Sequence, residues 1–297
     1  MADERSSAHS SFDETYLESK MTTSQIIDRD KLKPYFFLAI VVAVLLLVAS
    51  VGGLFVKSVY AQIMPADRLP AAYGQDLLSL LVVPALGVSL YFAVRGSARG
   101  LIALAGILGY VAYAYALYAF EGLYSVLFPV YVALLGLSVY ALAGILTNIN
   151  GERYRSYIGE RMPERAISLY LLSVDVLIVP IWLWIIVKTI STGELSTGFN
   201  TVYVLDLAVL LPAFLVGAIL LWRRISGGYI LSGVLLIKAM TLGLSIVFGY
   251  VFQIVSGLAV SLGRGGLYLM LTIVGGILTI AYLRNLKKPI DVVYISD

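Results

Sequence analysis

Eight long hydrophobic segments, separated by short polar joints, make up most of the chain after residue 33. Each is close to the roughly 20 residues that an α-helix needs to cross about 30 Å of hydrocarbon. Several contain glycine or proline, which membrane-spanning helices tolerate. The predicted helices cover residues 35–56, 77–94, 101–120, 123–146, 166–187, 202–222, 229–255 and 267–283. The pattern predicts an all-α polytopic membrane protein with eight transmembrane helices.

The polar stretches between these segments divide the chain into five regions. A tail rich in Ser, Thr, Asp and Glu covers residues 1–33, and we expect it to be flexible. Two four-helix halves follow at 34–147 and 166–284, joined by a linker at 148–165, and a second tail covers 285–297. None of the polar stretches is long enough to form a soluble domain with its own core.

The composition agrees with a protein that is embedded in lipid. Hydrophobic residues make up 60% of the chain and charged residues 13%, against roughly 45–50% and about 25% in soluble domains. The net charge of +3 is spread over the loops, which suits lipid headgroups and gives no nucleic-acid-binding patch. The predicted partners are the lipid bilayer, a small solute or ion, and a second copy of the chain or a partner membrane subunit.

Several kinds of chemistry lack the residues that they need. The chain has no cysteine, and its one histidine, His9, lies in the polar tail. Disulfides, thiolate metal sites, serine–histidine catalysis, HExxH zinc sites and histidine-ligated haem are therefore excluded. A glycine-rich nucleotide fingerprint is also missing. We predict no cofactor, no metal site and no catalytic residue, so a function other than catalysis is favoured.

The positions of Lys and Arg predict the orientation of the helices, because basic loops are retained in the cytoplasm. With the N-terminus inside, sixteen of these residues lie on the cytoplasmic side and only Lys238 lies within a helix. The four on the outer side are Lys57, Arg68, Lys188 and Arg264. Both termini are therefore predicted to be cytoplasmic, in a multi-pass protein of the cell membrane.

A short pattern of proline, arginine and glycine occurs twice, with an offset of 128 residues. The first copy is Pro84, Arg95 and Gly100, and the second is Pro212, Arg223 and Gly228. An aspartate precedes each copy, although its distance to the proline differs by two residues. Since each half has an even number of helices, the pattern predicts two parallel four-helix repeats, related by a pseudo-two-fold axis along the membrane normal. Coincidence between apolar segments that carry proline and glycine is the alternative.

Two charged residues lie deep inside predicted helices. Lys238 and Asp175 are each about ten residues from the cytoplasmic end of their helix, and therefore at matching depth. An isolated charge there is costly, which predicts an ion pair between them. Thr241 and Ser245 share the helix face of Lys238, and Tyr110 corresponds to Lys238 in the first half. These five residues form the predicted substrate or ion site, and a purely structural ion pair is the alternative.

Three further carboxylates are predicted to lie near the outer ends of helices. Asp76 and Asp206 fall in the first turn of the second and sixth predicted helices, where a carboxylate caps backbone amides and complements the helix dipole. Glu121 follows the end of the third. Together the three predict an outer vestibule.

Two segments resemble those of uncharacterised prokaryotic multispan integral membrane proteins. They are residues 76–120, with the basic joint from Arg95 to Gly100, and the segment from Tyr203 to Lys238. The resemblance implies no activity. The leading hypothesis from the residues is a transporter or permease for a small solute, ion or proton that uses a buried Asp–Lys pair. A non-catalytic scaffold or sensor subunit is the alternative, and an enzyme acting on lipids ranks third because no acid–base cluster can be assembled.

Overall fold

The computed structural model describes residues 29–60, 63–193 and 200–287. Most of the predicted N-terminal tail and residues 288–297 of the predicted C-terminal tail lie outside these ranges. The described helices are α1 (Arg29–Phe55), α2 (Leu69–Val94), α3 (Ala98–Phe120), α4 (Phe128–Thr147), α5 (Gly151–Ser156), α6 (Glu164–Thr192), α7 (Asn200–Trp222), α8 (Ser226–Val255) and α9 (Leu262–Arg284).

Eight of these helices are long and apolar enough to cross a membrane, and only the short α5 is not. Apart from one isolated bridge, all regular secondary structure in the described residues is helical. The predicted all-α class and the number of spanning helices are confirmed.

Some helix boundaries differ from the predicted ones, because proline starts helices in places where hydrophobicity gives no signal. α2 begins at Leu69 rather than at residue 77, with Pro70 in its first turn. α4 begins later than predicted, at Phe128, with Pro129 in its first turn. Proline suits these positions because the first amides of a helix have no partner within it.

The first half is a closed ring of four helices and the second half is an open one. In the first half α1 and α3 each pack against both α2 and α4. In the second half α7 packs against α6 and α8, and α8 packs against α9, but contact between α6 and α9 is sparse. α8 also packs against α2 and α3, and thereby joins the two halves.

Glycines allow α8 to approach both of its neighbours in the first half. A Cβ atom on Gly74 of α2 would lie 2.2 Å from the backbone nitrogen of Gly249 in α8. A Cβ atom on Gly106 of α3 would lie 2.5 Å from the side chain of Ile237. Since helices in lipid associate by close packing, these small residues fix α8 at the centre of the protein.

The joints that follow α2 and α7 have the same backbone structure. Arg95 and Arg223 cap the two helices with nearly equal backbone angles, and a residue with positive φ follows each, Gly96 at 84° and Arg224 at 56°. Two backbone hydrogen bonds close each turn, at corresponding positions. After α2 they run from Gly96 N to Ala93 O (2.9 Å) and from Ser97 N to Phe92 O (3.0 Å). After α7 they run from Arg224 N to Leu221 O and from Ile225 N to Leu220 O (both 2.9 Å).

The region around α5 is bonded to the end of α9. The hydroxyl oxygens of Tyr154 and Tyr282 are 2.8 Å apart, and the Tyr282 hydroxyl also donates to the carbonyl of Tyr229 at 2.6 Å. Because a tyrosine hydroxyl has one proton to donate, Tyr154 is the donor to Tyr282. Burial raises the pKa of Tyr154 well above its ordinary value, which keeps that proton in place.

Two backbone hydrogen bonds extend this contact. The amide of Gly159 donates to the carbonyl of Asn285, and the amide of Lys287 donates to the carbonyl of Tyr157, each at 2.8 Å. Arg99, at the start of α3, donates from Nε to the carbonyl of Leu286 at 2.9 Å. We call the side on which these contacts lie the terminal side, because α9 ends there.

Candidate functional site

Lys238 is buried near the middle of α8, with 4% of its surface exposed. Its Nζ lies 3.7 Å from the centroid of the Tyr113 ring of α3. Gly109 of α3 gives the lysine stem room, because even a Cβ there would be 3.8 Å from Lys238 Cγ. An ammonium group on the face of an aromatic ring is attracted by the ring's negative face, and more strongly when both are desolvated.

The hydroxyl of the same tyrosine donates a hydrogen bond to Asp206. Tyr113 bonds Asp206 Oδ1 at 2.7 Å, and Trp182 Nε1 of α6 bonds Oδ2 at 2.8 Å. Asp206 is 6% exposed and interacts electrostatically with Lys238. The order Lys238, Tyr113, Asp206, Trp182 therefore connects α8, α3, α7 and α6. We call these four residues the polar chain.

The helix that carries Asp206, α7, is locally wider at this residue. The segment Asp206–Leu210 is a π-helix inside α7, and Pro212 follows in the next turn. A π-helical turn is rare and often marks a functional position, and proline removes one further backbone donor. These features place Asp206 at an irregular turn of a spanning helix.

The predicted ion pair between Asp175 and Lys238 is wrong. Neither carboxylate oxygen of Asp175 nor the Nζ of Lys238 has a hydrogen-bond partner among the described residues. α6, which carries Asp175, packs against α7 and makes little contact with α8. The two residues have matching positions along their helices, but the helices are not neighbours.

A cavity of about 480 Å³ lies inside the second half. Its wall is mostly apolar and aromatic and is formed by α6, α7, α8 and α9, with a contribution from α2 and α3. Asp206 and Arg264 are the charged residues among the described lining. Tyr113 and Trp182 also line it, whereas Lys238 and Asp175 do not. The cavity therefore contacts the polar chain at its three members other than lysine.

The cavity lies beside the sparse contact between α6 and α9. There the hydroxyl of Tyr170 donates to the carbonyl of Leu271 at 3.1 Å, and a Cβ on Gly275 would lie 2.4 Å from that hydroxyl. Tyr170 and Leu271 both line the cavity. One tyrosine thus provides a direct hydrogen bond between the two helices at the cavity's edge.

The other three residues of the predicted substrate site do not lie together in the structure. Ser245 lines the cavity. The Thr241 hydroxyl donates to the carbonyl of Ile237 in its own helix at 2.8 Å. The Tyr110 and Ser79 hydroxyls are 3.1 Å apart, away from the cavity wall. Of the five predicted residues, Ser245 alone is in the described lining.

The three carboxylates of the predicted vestibule are also separated. Asp76 accepts a hydrogen bond from Tyr60 and does not line the cavity, whereas Asp206 does. The predicted capping by both aspartates is wrong. α2 begins eight residues earlier than predicted and α7 two residues earlier, and Asp206 accepts from side chains. Glu121 is the residue that caps: its Oε1 accepts from the backbone amide of Thr201 at 2.8 Å, in the first turn of α7.

The partners of Asp206 were missed from the sequence. Tyr113 and Trp182 carry the only available signal, since a buried tyrosine hydroxyl or tryptophan N–H generally finds an acceptor. That signal does not say which acceptor it is, because the answer depends on how α3, α6 and α7 pack. The carboxylate, its two donors and the neighbouring lysine come from four different helices.

Comparisons with protein families, with curated proteins and with solved structures give no match to this chain.

Proposed function

We propose that this protein is a transporter or permease for a small solute that binds in the cavity of the second half. The observation that supports this most directly is the buried carboxylate of Asp206 in a largely apolar and aromatic wall. A site of this kind suits a solute with an apolar body and a cationic or hydrogen-bond-donating group. The carboxylate would hold the polar group, and the aromatic side chains would pack around the remainder.

The polar chain gives such a solute a way to influence helix packing. Both oxygens of Asp206 already accept hydrogen bonds, one from Tyr113 and one from Trp182. A donor on the solute would compete with these bonds and so alter the contact of α7 with α3 and α6. Lys238 would respond as well, since it rests on the Tyr113 ring. The predicted role for Lys238 is thereby retained, with Asp206 as its acidic neighbour in place of Asp175.

We further propose that the two halves are parallel repeats with an offset of 128 residues. Tyr154 and Tyr282 differ by this number and bond each other. The offset also relates the two backbone hydrogen bonds nearby. Gly159 corresponds to Lys287 and Tyr157 to Asn285, so the bond from Gly159 to Asn285 is the counterpart of the bond from Lys287 to Tyr157. Contacts between equivalent residues are the mark of a two-fold relationship. The matching joints after α2 and α7 give independent support.

A repeat in which only one half is open suits alternating access. The first half is a closed ring, while α6 and α9 of the second half are in sparse contact beside the cavity. In many transporters one repeat or bundle moves largely as a rigid body against the other. Here the contacts on the terminal side would act as the pivot, and α6 and α9 would separate and close. We propose that this side is cytoplasmic and that the protein resides in the cell membrane, on the basis of the Lys and Arg distribution.

One observation favours the alternative function, a scaffold or sensor subunit. Asp175 is half-buried on α6, and neither of its carboxylate oxygens has a hydrogen-bond partner in the described part of the chain. Because the protein itself shields both oxygens, a partner membrane helix with a cation or a donor at this depth would provide one only after a movement of α6 uncovers them. Binding of a partner at α6 and binding of a solute in the cavity are separable by experiment.

The test uses tryptophan fluorescence, because the chain has only three tryptophans and Trp182 lies at the cavity. Trp184→Phe and Trp222→Phe leave Trp182 as the reporter, and the organic cation ethidium serves as the probe. We expect saturable quenching that Asp206→Asn abolishes and that the exposed-site control Asp67→Asn preserves. Ethidium flux into proteoliposomes should show the same dependence. Quenching that is equal in Asp206→Asn would contradict the proposal, and binding without flux would favour the sensor.

A further inference from the structure

Asp76 is a second buried carboxylate, outside the cavity and with an incomplete set of partners. It is 1% exposed. Its Oδ2 accepts a hydrogen bond from the Tyr60 hydroxyl at 2.6 Å, while its Oδ1 has no partner in the described residues. Burial raises the pKa of Tyr60 far above its ordinary value, so this hydroxyl keeps its proton and acts as the donor.

Tyrosines surround this carboxylate. Tyr118 packs edge-on against Tyr60 and Tyr131, with ring centroids 6.2 and 5.1 Å away, and Tyr115 lies 5.7 Å from Tyr131. The hydroxyls of Tyr115 and Tyr131 are fully buried and interact electrostatically with Asp76, and neither has a hydrogen-bond partner within residues 29–60, 63–193 and 200–287. One cluster thus holds three buried oxygen atoms that have no partner in the part of the chain that the structure describes.

Such a concentration of unpaired oxygens calls for a physical explanation. Buried polar atoms nearly always have a partner, and the exceptions in a native protein indicate a functional group or a bound water or ion. No Lys or Arg in the described chain forms an ion pair with Asp76. A carboxylate in this setting is costly unless its charge is compensated.

The backbone is built to admit the carboxylate. A Cβ on Gly53 of α1 would lie 2.0 Å from Asp76 Oδ2 and 2.7 Å from the Tyr60 hydroxyl. Only glycine lets α1 pass this close, and its presence brings Asp76 and Tyr60 together against the helix. The cluster is therefore assembled from α1, the segment after it, α2, α3 and α4.

We propose that the cluster formed by Asp76, Tyr60, Tyr115, Tyr118 and Tyr131 binds one monovalent alkali cation, with Na⁺ as the ion. Carboxylate and hydroxyl oxygens are hard ligands, which suit such ions and do not suit soft metals. One carboxylate balances a single positive charge, whereas Ca²⁺ sites are built from several carboxylates and carbonyls. The site is distinct from the cavity, but it touches it: the Tyr118 hydroxyl donates to the carbonyl of Ala72 at 3.3 Å, and both residues line the cavity.

The experiment measures the melting temperature of the purified full-length protein in detergent. It compares NaCl with choline chloride at the same pH and the same ionic strength. A ligand that binds only the folded state raises its stability in a saturable way. We expect Na⁺ to raise the melting temperature, Asp76→Asn to abolish the rise, and Asp206→Asn, which removes the carboxylate of the cavity, to preserve it. This outcome is independent of whether ethidium binds.

Two milder variants keep the test decisive if Asp76→Asn fails to fold. Tyr115→Phe and Tyr131→Phe each delete a hydroxyl that bonds to nothing among the described residues, and each keeps the ring, so we expect both to fold. Each should raise the Na⁺ concentration at half-effect by about tenfold, as the loss of one ligand of roughly 1.4 kcal/mol would. The proposal is overturned if Na⁺ and choline act alike, if these variants and Asp76→Asn respond as the unmodified protein does, or if lowering the pH alone reproduces the stabilisation, which would assign a proton to the site.

Discussion

The Nζ of Lys238 lies over the Tyr113 ring, 3.7 Å from its centroid, and the hydroxyl of the same tyrosine donates a hydrogen bond to Asp206. One ring therefore contacts a buried cation with its face and a buried carboxylate with its hydroxyl. Tyr113 separates the two charges and still lets each reduce the desolvation cost of the other.

Replacement of Tyr113 should separate these two contributions. Tyr113→Phe keeps the ring and should cost about 1–2 kcal/mol in the free energy of unfolding, because Asp206 loses one of two donors. Tyr113→Leu should cost more, since Lys238 also loses its cation–π contact. Unfolding in mixed detergent and SDS micelles measures both values.

A double-mutant cycle provides the control for this prediction. In a Lys238→Met background there is no ammonium group to stabilise, so the difference between Tyr113→Leu and Tyr113→Phe should shrink by about 0.5–2 kcal/mol. An unchanged difference would show that the ring contributes through packing alone.

Close packing of α2 against α8 makes a second prediction. A Cβ on Gly74 would lie 2.2 Å from the backbone nitrogen of Gly249, whereas a Cβ on Gly87 of the same helix would meet nothing within 4 Å. Gly74→Ala must push two backbones apart and should destabilise the protein by about 1–3 kcal/mol, as overpacking of a core does. Gly87→Ala is the matched control and should be neutral or stabilising by up to about 1 kcal/mol. Equal melting temperatures for the two variants would contradict the observed packing.

The sequence was sufficient for the helices but not for the site. Hydrophobic segments of spanning length predict eight helices, because the bilayer requires that every backbone amide be satisfied within the segment. Depth along a helix was also available, and it placed Asp175 and Lys238 at matching levels. The sequence did not show which helices are neighbours. Most residues of α6 and α8 are apolar, and the few polar ones do not specify which helix each packs against. The ion pair failed for this reason.

Asp206 shows a different limit. Its place in the chain was known, and only its role was wrong, because residues 200 and 201 extend the helix in front of it and Glu121 supplies the cap. Asp206 therefore lies in the second turn of α7, beyond the amides that lack a partner within the helix, and it accepts from side chains instead. A shift of two residues in a helix start thus changes a predicted cap into a buried polar site.

The cap at Glu121 gives a third prediction. Because its Oε1 accepts from the amide of Thr201, Glu121→Gln should weaken the first turn of α7 and cost about 0.5–2 kcal/mol. Hydrogen exchange at the amides of residues 201–205 should accelerate. Glu160→Gln removes an exposed carboxylate on the terminal side and should leave this exchange unchanged. If these amides exchange at the same rate in Glu121→Gln and in Glu160→Gln, the Glu121 cap does not stabilise the first turn of α7.

The predicted orientation can be tested without altering the background, because the chain has no cysteine. Ser156 follows the fourth spanning helix, and Ser191 lies in the last turn of α6, the fifth. One crossing therefore separates them and places them on opposite sides of the membrane. They are a matched pair: both are exposed, and the hydroxyl of each donates to the carbonyl three residues before it, at 2.7 Å for Ser156 and 2.9 Å for Ser191. Replacement by cysteine should therefore cost the same small amount at both positions.

We expect a membrane-impermeant maleimide applied to intact cells to label Ser191→Cys and to leave Ser156→Cys unlabelled until the cells are permeabilised. The reason is that Arg153, Arg155, Arg161 and Arg165 surround Ser156, and a loop with this charge is retained in the cytoplasm. The reverse result would show that the protein has the opposite orientation, with the contacts of the terminal side on the outer face of the membrane. Labelling of both residues in intact cells would contradict an odd number of crossings between them, and with it the assignment of α6 as a complete span.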